Sequence, residues 1–341
     1  MKKIDLFIPG RLCLFGEHSD WAGEQRKFDK TVMTGKCIIA GTDQGIYATA
    51  KTASEGFHIS QILPDGSISR EHSYFDRLDE VAASGIFDSY AAGTASIILK
   101  KYPNLGLRLN INKRDLPLKK GLSSSAATCV LVARAFSRIH DLNLSEEEEM
   151  EFAYRGELLT GSLCGRMDQA CAYGKNPVLL TFDGDEMMAE PLSTGEPLYF
   201  LIVDLKSEKN TRRILEDLNT SFTSGNTMIR QALGVKNHRI TGEACRAIKN
   251  GNPKQLGKLM KEAQAIFDQM IAPLCPSELT APKLHQVLRN EAVENLAWGG
   301  KGVGSQGDGT AQFICKGKKE RNQLGSLLQN DFGVFCYNLA L

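Results

Sequence analysis

The run Gly121-Leu122-Ser123-Ser124-Ser125-Ala126-Ala127 puts a glycine and three hydroxyls where the chain turns helical, with Lys120 just ahead. Glycine lets a backbone approach a ligand closely. A helix N-terminus exposes unpaired N–H groups and the positive end of the macrodipole. Together these make an anion site, for which phosphate is the natural occupant. A serine hydroxyl in the first turn is also a hard-oxygen ligand suited to Mg²⁺. The plainer alternative is a serine-rich N-cap with no ligand. No G-x-x-x-x-G-K-[ST] occurs, so the loop is not of the Walker type.

Three other segments could carry chemistry. Pro9-Gly10-Arg11-Leu12-Cys13-Leu14-Phe15-Gly16-Glu17-His18-Ser19-Asp20-Trp21 gathers a cation, two carboxylates and an imidazole within a few residues. Carboxylates accept strong hydrogen bonds from hydroxyl groups, although a tight turn with surface charges reads the same way. Gly156-Glu157 is followed by Cys164-Gly165-Arg166-Met167-Asp168-Gln169; an isolated loop aspartate is most simply an Asx turn. Residues 302–307 match G-x-G-x-x-G formally, but they lead into a strand and no βαβ unit follows, which argues against a dinucleotide site.

The elements that must position these residues alternate irregularly between strand and helix. Leu6–Ile8 reads as a strand ended by Pro9-Gly10, and Leu12–Phe15 as a second buried run. Residues 21–36 read as a polar, basic loop, and Cys37–Ala50 as strand with a break at Gly45. Helices are expected over 84–101, 124–140, 211–219, 226–233, 241–249 and 254–271, and one opening at the Ser145–Glu148 capping box. Strands are expected over 105–111, 177–182, 198–205 and 311–315. Mixed order of this kind points to an α+β layered fold, with a boundary near residue 195.

The 341-residue chain is 42% hydrophobic and 24% charged, with a net charge of +1. That is the composition of a soluble globular protein with a sizeable core and no broad nucleic-acid footprint. Nine cysteines are scattered without a C-x-x-C pair, so reduced thiols of a cytoplasmic protein are expected. No signal peptide or membrane-spanning stretch is read.

Taken together, the segments resemble the GHMP small-molecule kinase superfamily, which includes galactokinase, homoserine kinase and mevalonate kinase. The likeness runs from about residue 8 to the last expected strand. Residues 9–21 are similar to the galactokinase version of the family's first motif. The resemblance implies that Arg11 stabilises the transferring phosphoryl group, where mevalonate kinases typically carry lysine. It implies that Glu17, His18 and Asp20 contact the acceptor or support its site. Gly121, Leu122, Ser123, Ser124, Ser125 and Ala126 match the phosphate-binding motif G-L-[GS]-S-S-A. By that match Lys120 to Ala126 hold ATP, and Ser125 ligates Mg²⁺ with Glu157. Asp168, eleven residues beyond Glu157, becomes the catalytic carboxylate. Residues 299–309 fall at the family's third glycine-rich motif, but Ser305, Gln306 and Asp308 depart from its pattern.

The implied fold is the two-domain α+β architecture: a ribosomal S5 domain 2-like half over 1–195 and a ferredoxin-like half over 196–341. The implied activity is ATP- and Mg²⁺-dependent phosphorylation of a hydroxyl on a sugar or sugar derivative, the anomeric one being a candidate. The alternatives are a kinase of a non-sugar alcohol such as mevalonate, or a non-catalytic sugar and ATP sensor. The partners are the small-molecule acceptor and ATP, without nucleic acid or membrane. Arg26, Lys27, Lys30 and Lys36 raise a further expectation, of an anionic acceptor facing the basic loop. A solvated loop is the plainer reading.

Overall fold

The computed structural model describes residues 2–116 and 121–341. It contains two compact units that are discontinuous in sequence. The first comprises Met1–Arg11 and Gly41–Lys175, the second Leu12–Ala40 and Asn176–Leu341. Pro191–Gly195 lies inside the second unit. Strands β1 (Lys3–Phe15) and β2 (Gly35–Ala53) each begin in one unit and end in the other.

In the first unit β3 (Gly56–Gln61) pairs antiparallel with the short β4 (His72–Tyr74) and parallel with β5 (Gly106–Arg114), and β5 pairs antiparallel with β2. Leu107, Leu109 and Ile111 alternate along β5 and are fully buried. The Ser124–Ile139 helix adds Val130, Leu131 and Phe136 to the core, with Phe136 6.4 Å from Phe57 between ring centres. β1 runs unbroken through Pro9-Gly10, where the sequence suggests a stop. Among the described residues β1 pairs with β2 alone, and a proline costs little on such an edge. Gly10 is needed for close approach: a Cβ there would lie 2.4 Å from Leu116 and 3.0 Å from the Leu122 carbonyl.

Helices Ser89–Lys101 and Glu146–Leu158 cross at two glycines. A Cβ on Gly93 would sit 2.2 Å from the Gly156 carbonyl oxygen, and one on Gly156 2.4 Å from the Thr94 Cα. This contact fixes Glu157, the next residue. The expected capping box is present: Ser145 Oγ accepts from the Glu148 N–H, and the Glu148 carboxylate accepts from the Ser145 N–H.

In the second unit β6 (Val178–Asp183) pairs with residues 35–39 of β2 and with β7 (Glu186–Pro191). A separate antiparallel sheet has the order β11-β8-β10-β9, from β8 (Tyr199–Asp204), β9 (Ala297–Gly302), β10 (Thr310–Cys315) and β11 (Phe335–Ala340). Its core joins Leu201, Val203 and Phe313 to Leu284, Val287, Leu324 and Leu328. This is the expected α+β arrangement. Its departures from expectation include a six-residue helix, Ser19–Glu24, that runs into the stretch read as loop, strands β7 and β9, short helices between residues 276 and 296, and a closing helix, Lys318–Phe332, with β11.

Gly156→Ala is expected to lower stability by about 1–3 kcal/mol, since the added methyl meets backbone, which cannot rotate away. Equilibrium denaturation with urea measures this, and Glu157 moves with the crossing.

Candidate active site

In the first unit the chain enters the Ser124–Ile139 helix through left-handed backbone at Gly121 (φ +72°) and Ser123 (φ +56°). No side chain caps this helix, and Ser123 Oγ is buried without a partner among the described residues. Among the described residues no side chain thus takes up the first-turn N–H groups, which a ligand could satisfy. Lys120 lies outside the described residues. The loop is tied down from below, because the Arg11 N–H donates to the Leu122 carbonyl (3.0 Å).

Arg11 is almost fully buried and its guanidinium pairs with Asp168. The Asp168 side chain keeps 28% exposure, so the pair presents a carboxylate outward with a cation behind it. Asp168 opens a short 3-10 turn, Asp168–Tyr173. The next residue, Gln169, is buried and donates from Nε2 to Glu157 Oε2 (2.8 Å). The Ser125 hydroxyl also donates to Glu157. Burial, and then the nearby Asp168 charge, push the Glu157 carboxyl up to about 7. The structure thus assembles Arg11, the serine loop, Glu157 and Asp168 from four distant segments of the chain.

The donors that converge here fit Mg²⁺. Ser125 and Glu157 offer hard oxygens, and the Glu157 carboxylate is held by two donors that a cation can replace. Among the described residues no group of three or more His, Cys, Asp or Glu side chains is disposed to hold a metal. Mg²⁺ typically keeps several waters and takes phosphate oxygens with only one or two protein ligands.

The second unit carries the other predicted residues. Glu17 and His18 are buried, as is Asp20. The Glu17 carboxylate pairs with Lys301, which is only 1% exposed and also donates to the Gly302 carbonyl (2.8 Å). Lys301 faces Gln312 across β9 and β10, and Gln312 Nε2 donates to the Cys13 carbonyl (2.6 Å). His18 has left-handed backbone (φ +68°). Its Nδ1 accepts from Trp21 Nε1 (3.2 Å), and its ring stacks 6.0 Å from Phe267. Burial first, then the Lys209 and Lys301 charges, pull its pKa down to about 3. The imidazole is neutral at physiological pH, and with Nδ1 accepting from Trp21, its proton sits on Nε2.

Lys301 and Lys209 are the functional candidates that the sequence reading missed. The signal for Lys301 is a lone lysine inside Gly299-Gly300-Lys301-Gly302. Lys209 Nζ donates to the Gln306 carbonyl, and a Cβ on Gly309 would fall 2.8 Å from that Nζ. The departures from the family pattern at 305–308 thus accompany a segment that makes room for a lysine. The basic loop behaves differently from the expectation of an anion-facing patch. Arg26 donates to Asp183 (2.7 Å), Lys27 lies 3.6 Å from Asp185 and Lys30 3.8 Å from Asp183. These cations hold the turn between β6 and β7, so they give no support to an anionic acceptor.

With this geometry in place, comparison with known proteins identifies the class. Residues 89–175 match the model of the GHMP kinases N terminal domain. The chain is 22% identical to the mevalonate kinase of Aeropyrum pernix over 97% of its own length and 94% of that protein. It is 24% identical to the galactokinase of Haemophilus influenzae over 83% of its length and 77% of that protein. The structure of Lactococcus lactis galactokinase complexed with galactose superposes with a TM-score of 0.74 at 20% identity, covering 99% of this chain and 93% of that one. Residues 89–175 thus carry a GHMP kinases N terminal domain, and the chain shares the fold of the galactokinase and mevalonate kinase structures. Among the described residues no helix is long and apolar enough to cross a membrane.

The raised Glu157 carboxyl fixes a sign. The folded chain holds this proton more tightly than the unfolded chain, so ionising Glu157 costs stability as pH rises from about 5 through 7. Glu157→Gln removes that term. The fall in thermal midpoint between pH 5 and pH 8 is expected to be smaller in the variant than in the parent, measured by calorimetry without nucleotide or Mg²⁺.

Proposed function

We propose that this chain is an ATP-dependent phosphotransferase that moves the γ-phosphoryl group to a hydroxyl of a sugar or sugar derivative. The observation that carries the reading is the outward-facing Asp168 carboxylate paired with buried Arg11, next to an uncapped helix N-terminus. Phosphoryl transfer asks for positioning and charge neutralisation more than covalent work. The N–H groups at Ser123 to Ala126 take the phosphate chain, with Gly121 and Leu122 shaping the turn. Ser125 and Glu157 hold Mg²⁺, which supplies neutralisation of phosphate charge. Asp168 accepts the proton of the attacking hydroxyl, and Arg11 orients Asp168 and faces the charge that develops on the phosphoryl oxygens.

His18 and Asp20 bind the acceptor, and Glu17, anchored by Lys301, holds the turn that carries them. A neutral imidazole with a fixed proton suits a hydroxyl acceptor, to which it offers a defined donor. The order P-G-R-x-x-L-x-G-E-H-x-D favours a sugar, and the arginine at position 11 sets the chain apart from the lysine typical of mevalonate kinases. The relatives named above include both kinds of enzyme, so mevalonate is the second reading. The completeness of the Arg11, Ser125, Glu157 and Asp168 set argues against a non-catalytic sensor.

Asp168→Asn is expected to lower kcat by about 10²–10⁴-fold with an unchanged circular dichroism spectrum. The assay is coupled ADP release with ATP–Mg²⁺ against neutral hexoses and pentoses, uronic acids, sugar phosphates, mevalonate and homoserine. Turnover confined to mevalonate would overturn the sugar reading. Near-normal turnover in the variant would overturn the role of Asp168.

A further inference from the structure

The antiparallel pairing of β5 with β2 has one irregularity. Ile111 faces Ala48 and Lys113 faces Tyr47, so Asn112 is an extra residue, and Arg114 comes opposite Ile46. Cross-strand partners share a sheet face. Ile46, Ala48 and Ala50 are all buried, so the bulge turns Arg114 onto the face of Leu109 and Ile111. Strict alternation would have sent Lys113 inward.

The guanidinium of Arg114 is thereby drawn under the serine-loop helix. Its Nη1 donates to Thr128 Oγ1 (3.2 Å), which itself donates to the Ser124 carbonyl (3.0 Å). Its Nη2 donates to Gln61 Oε1 (3.4 Å), and the Phe87 ring lies 5.7 Å away. Gln61 is held in this orientation from its other end, since Nε2 donates to the buried Asp88 (2.6 Å). Asp88 is in turn engaged by His72 (2.6 Å) and Tyr74 (2.8 Å).

All of these partners of Arg114 are neutral. Among the described residues no carboxylate pairs with it, and its Nε is shut from solvent without a partner. Burial pulls its pKa down to about 10. A cation in that position costs free energy until an anion reaches it. The adjacent helix N-terminus adds to the same positive field.

The geometry points to Arg114 as a phosphate ligand of the bound nucleotide, on the Ser124–Thr128 side of the helix. This rests on the reading of the serine loop as the nucleotide site. Ser124 and Thr128 share one helix face, whereas Ser125 and its partner Glu157 lie about 100° around the axis. The metal end and the arginine end of the phosphate chain are thus separated by the helix itself. Arg114 is outside the three family motifs, and its inward aim depends on the bulge.

Isothermal titration of the full chain with ATP and ADP, and ligand-observed NMR with adenosine, test this on the parent and on Arg114→Met. The parent should bind ATP. The variant should bind ATP and ADP about 10- to 100-fold more weakly, with adenosine affinity within about twofold of the parent by the same estimate. Unchanged ATP affinity would overturn the inference, as would an equal loss for ATP and adenosine. Should the methionine variant not fold, Arg114→Lys, which keeps the charge and loses the planar fork, should weaken ATP about threefold or more and spare adenosine. Equal affinities there would also overturn it. A parent that binds no ATP would instead overturn the proposed function.

Discussion

Arg11 is the residue on which the first unit's site depends. Its backbone N–H holds the Leu122 carbonyl and its guanidinium holds Asp168, so one strand residue fixes both the serine loop and the outward carboxylate. The arrangement works only because Gly10 lets that loop lie directly on β1. A buried arginine without a carboxylate is costly, and an exposed carboxylate without a cation is loosely placed. Pairing the two answers both constraints, and it leaves Asp168 oriented yet reachable.

The second unit solves a related problem with different groups. Glu17 and Lys301 are both buried, and each would be strongly destabilising without the other. Their pairing commits the turn at residues 16–18 to β9 within that unit. The left-handed backbone of His18 persists because Trp21, Phe267 and the Ser305 carbonyl surround the ring. The same burial that depresses the His18 pKa also fixes which nitrogen carries the proton. A site built this way has a constant hydrogen-bonding pattern across the physiological pH range, unlike one built on a solvent-exposed imidazole.

How much of this was legible follows from how local each signal is. The serine loop, the capping box at Ser145 and the amphipathic helices over 211–270 are written in a few consecutive residues, and they form close to where the pattern puts them. Arg11 and Asp168 stand 157 residues apart, so nothing local joins them; only the family resemblance does. Lys301 and Arg114 depend on strand register, which one sequence does not display. For Arg114 a single extra residue, Asn112, reverses which side chain points inward. The basic stretch at 26–36 reads as a patch because its partners Asp183 and Asp185 lie far along the chain. Pro9-Gly10 reads as a strand end because the sequence does not show that β1, among the described residues, pairs on one side only.

The first unit's charges are sorted around one helix. Glu157 and Asp168 gather with Ser125, and two carboxylates so close raise the cost of ionising the buried one, which is why the Glu157 carboxyl is pushed up. Arg114 lies on the other face with only neutral partners among the described residues. Neither side is electrostatically content alone: Arg11 balances only one of the two carboxylates, and among the described residues no anion pairs with Arg114. On the proposed function, a polyanion carrying its own divalent cation would supply both charges at once, with the metal toward the carboxylates and a phosphate toward the arginine. The fold thus holds an unfavourable separation of charge that a metal-bound phosphate chain, on the proposed reading, would relieve. That complementarity, more than the serine motif by itself, distinguishes this helix N-terminus from an ordinary N-cap.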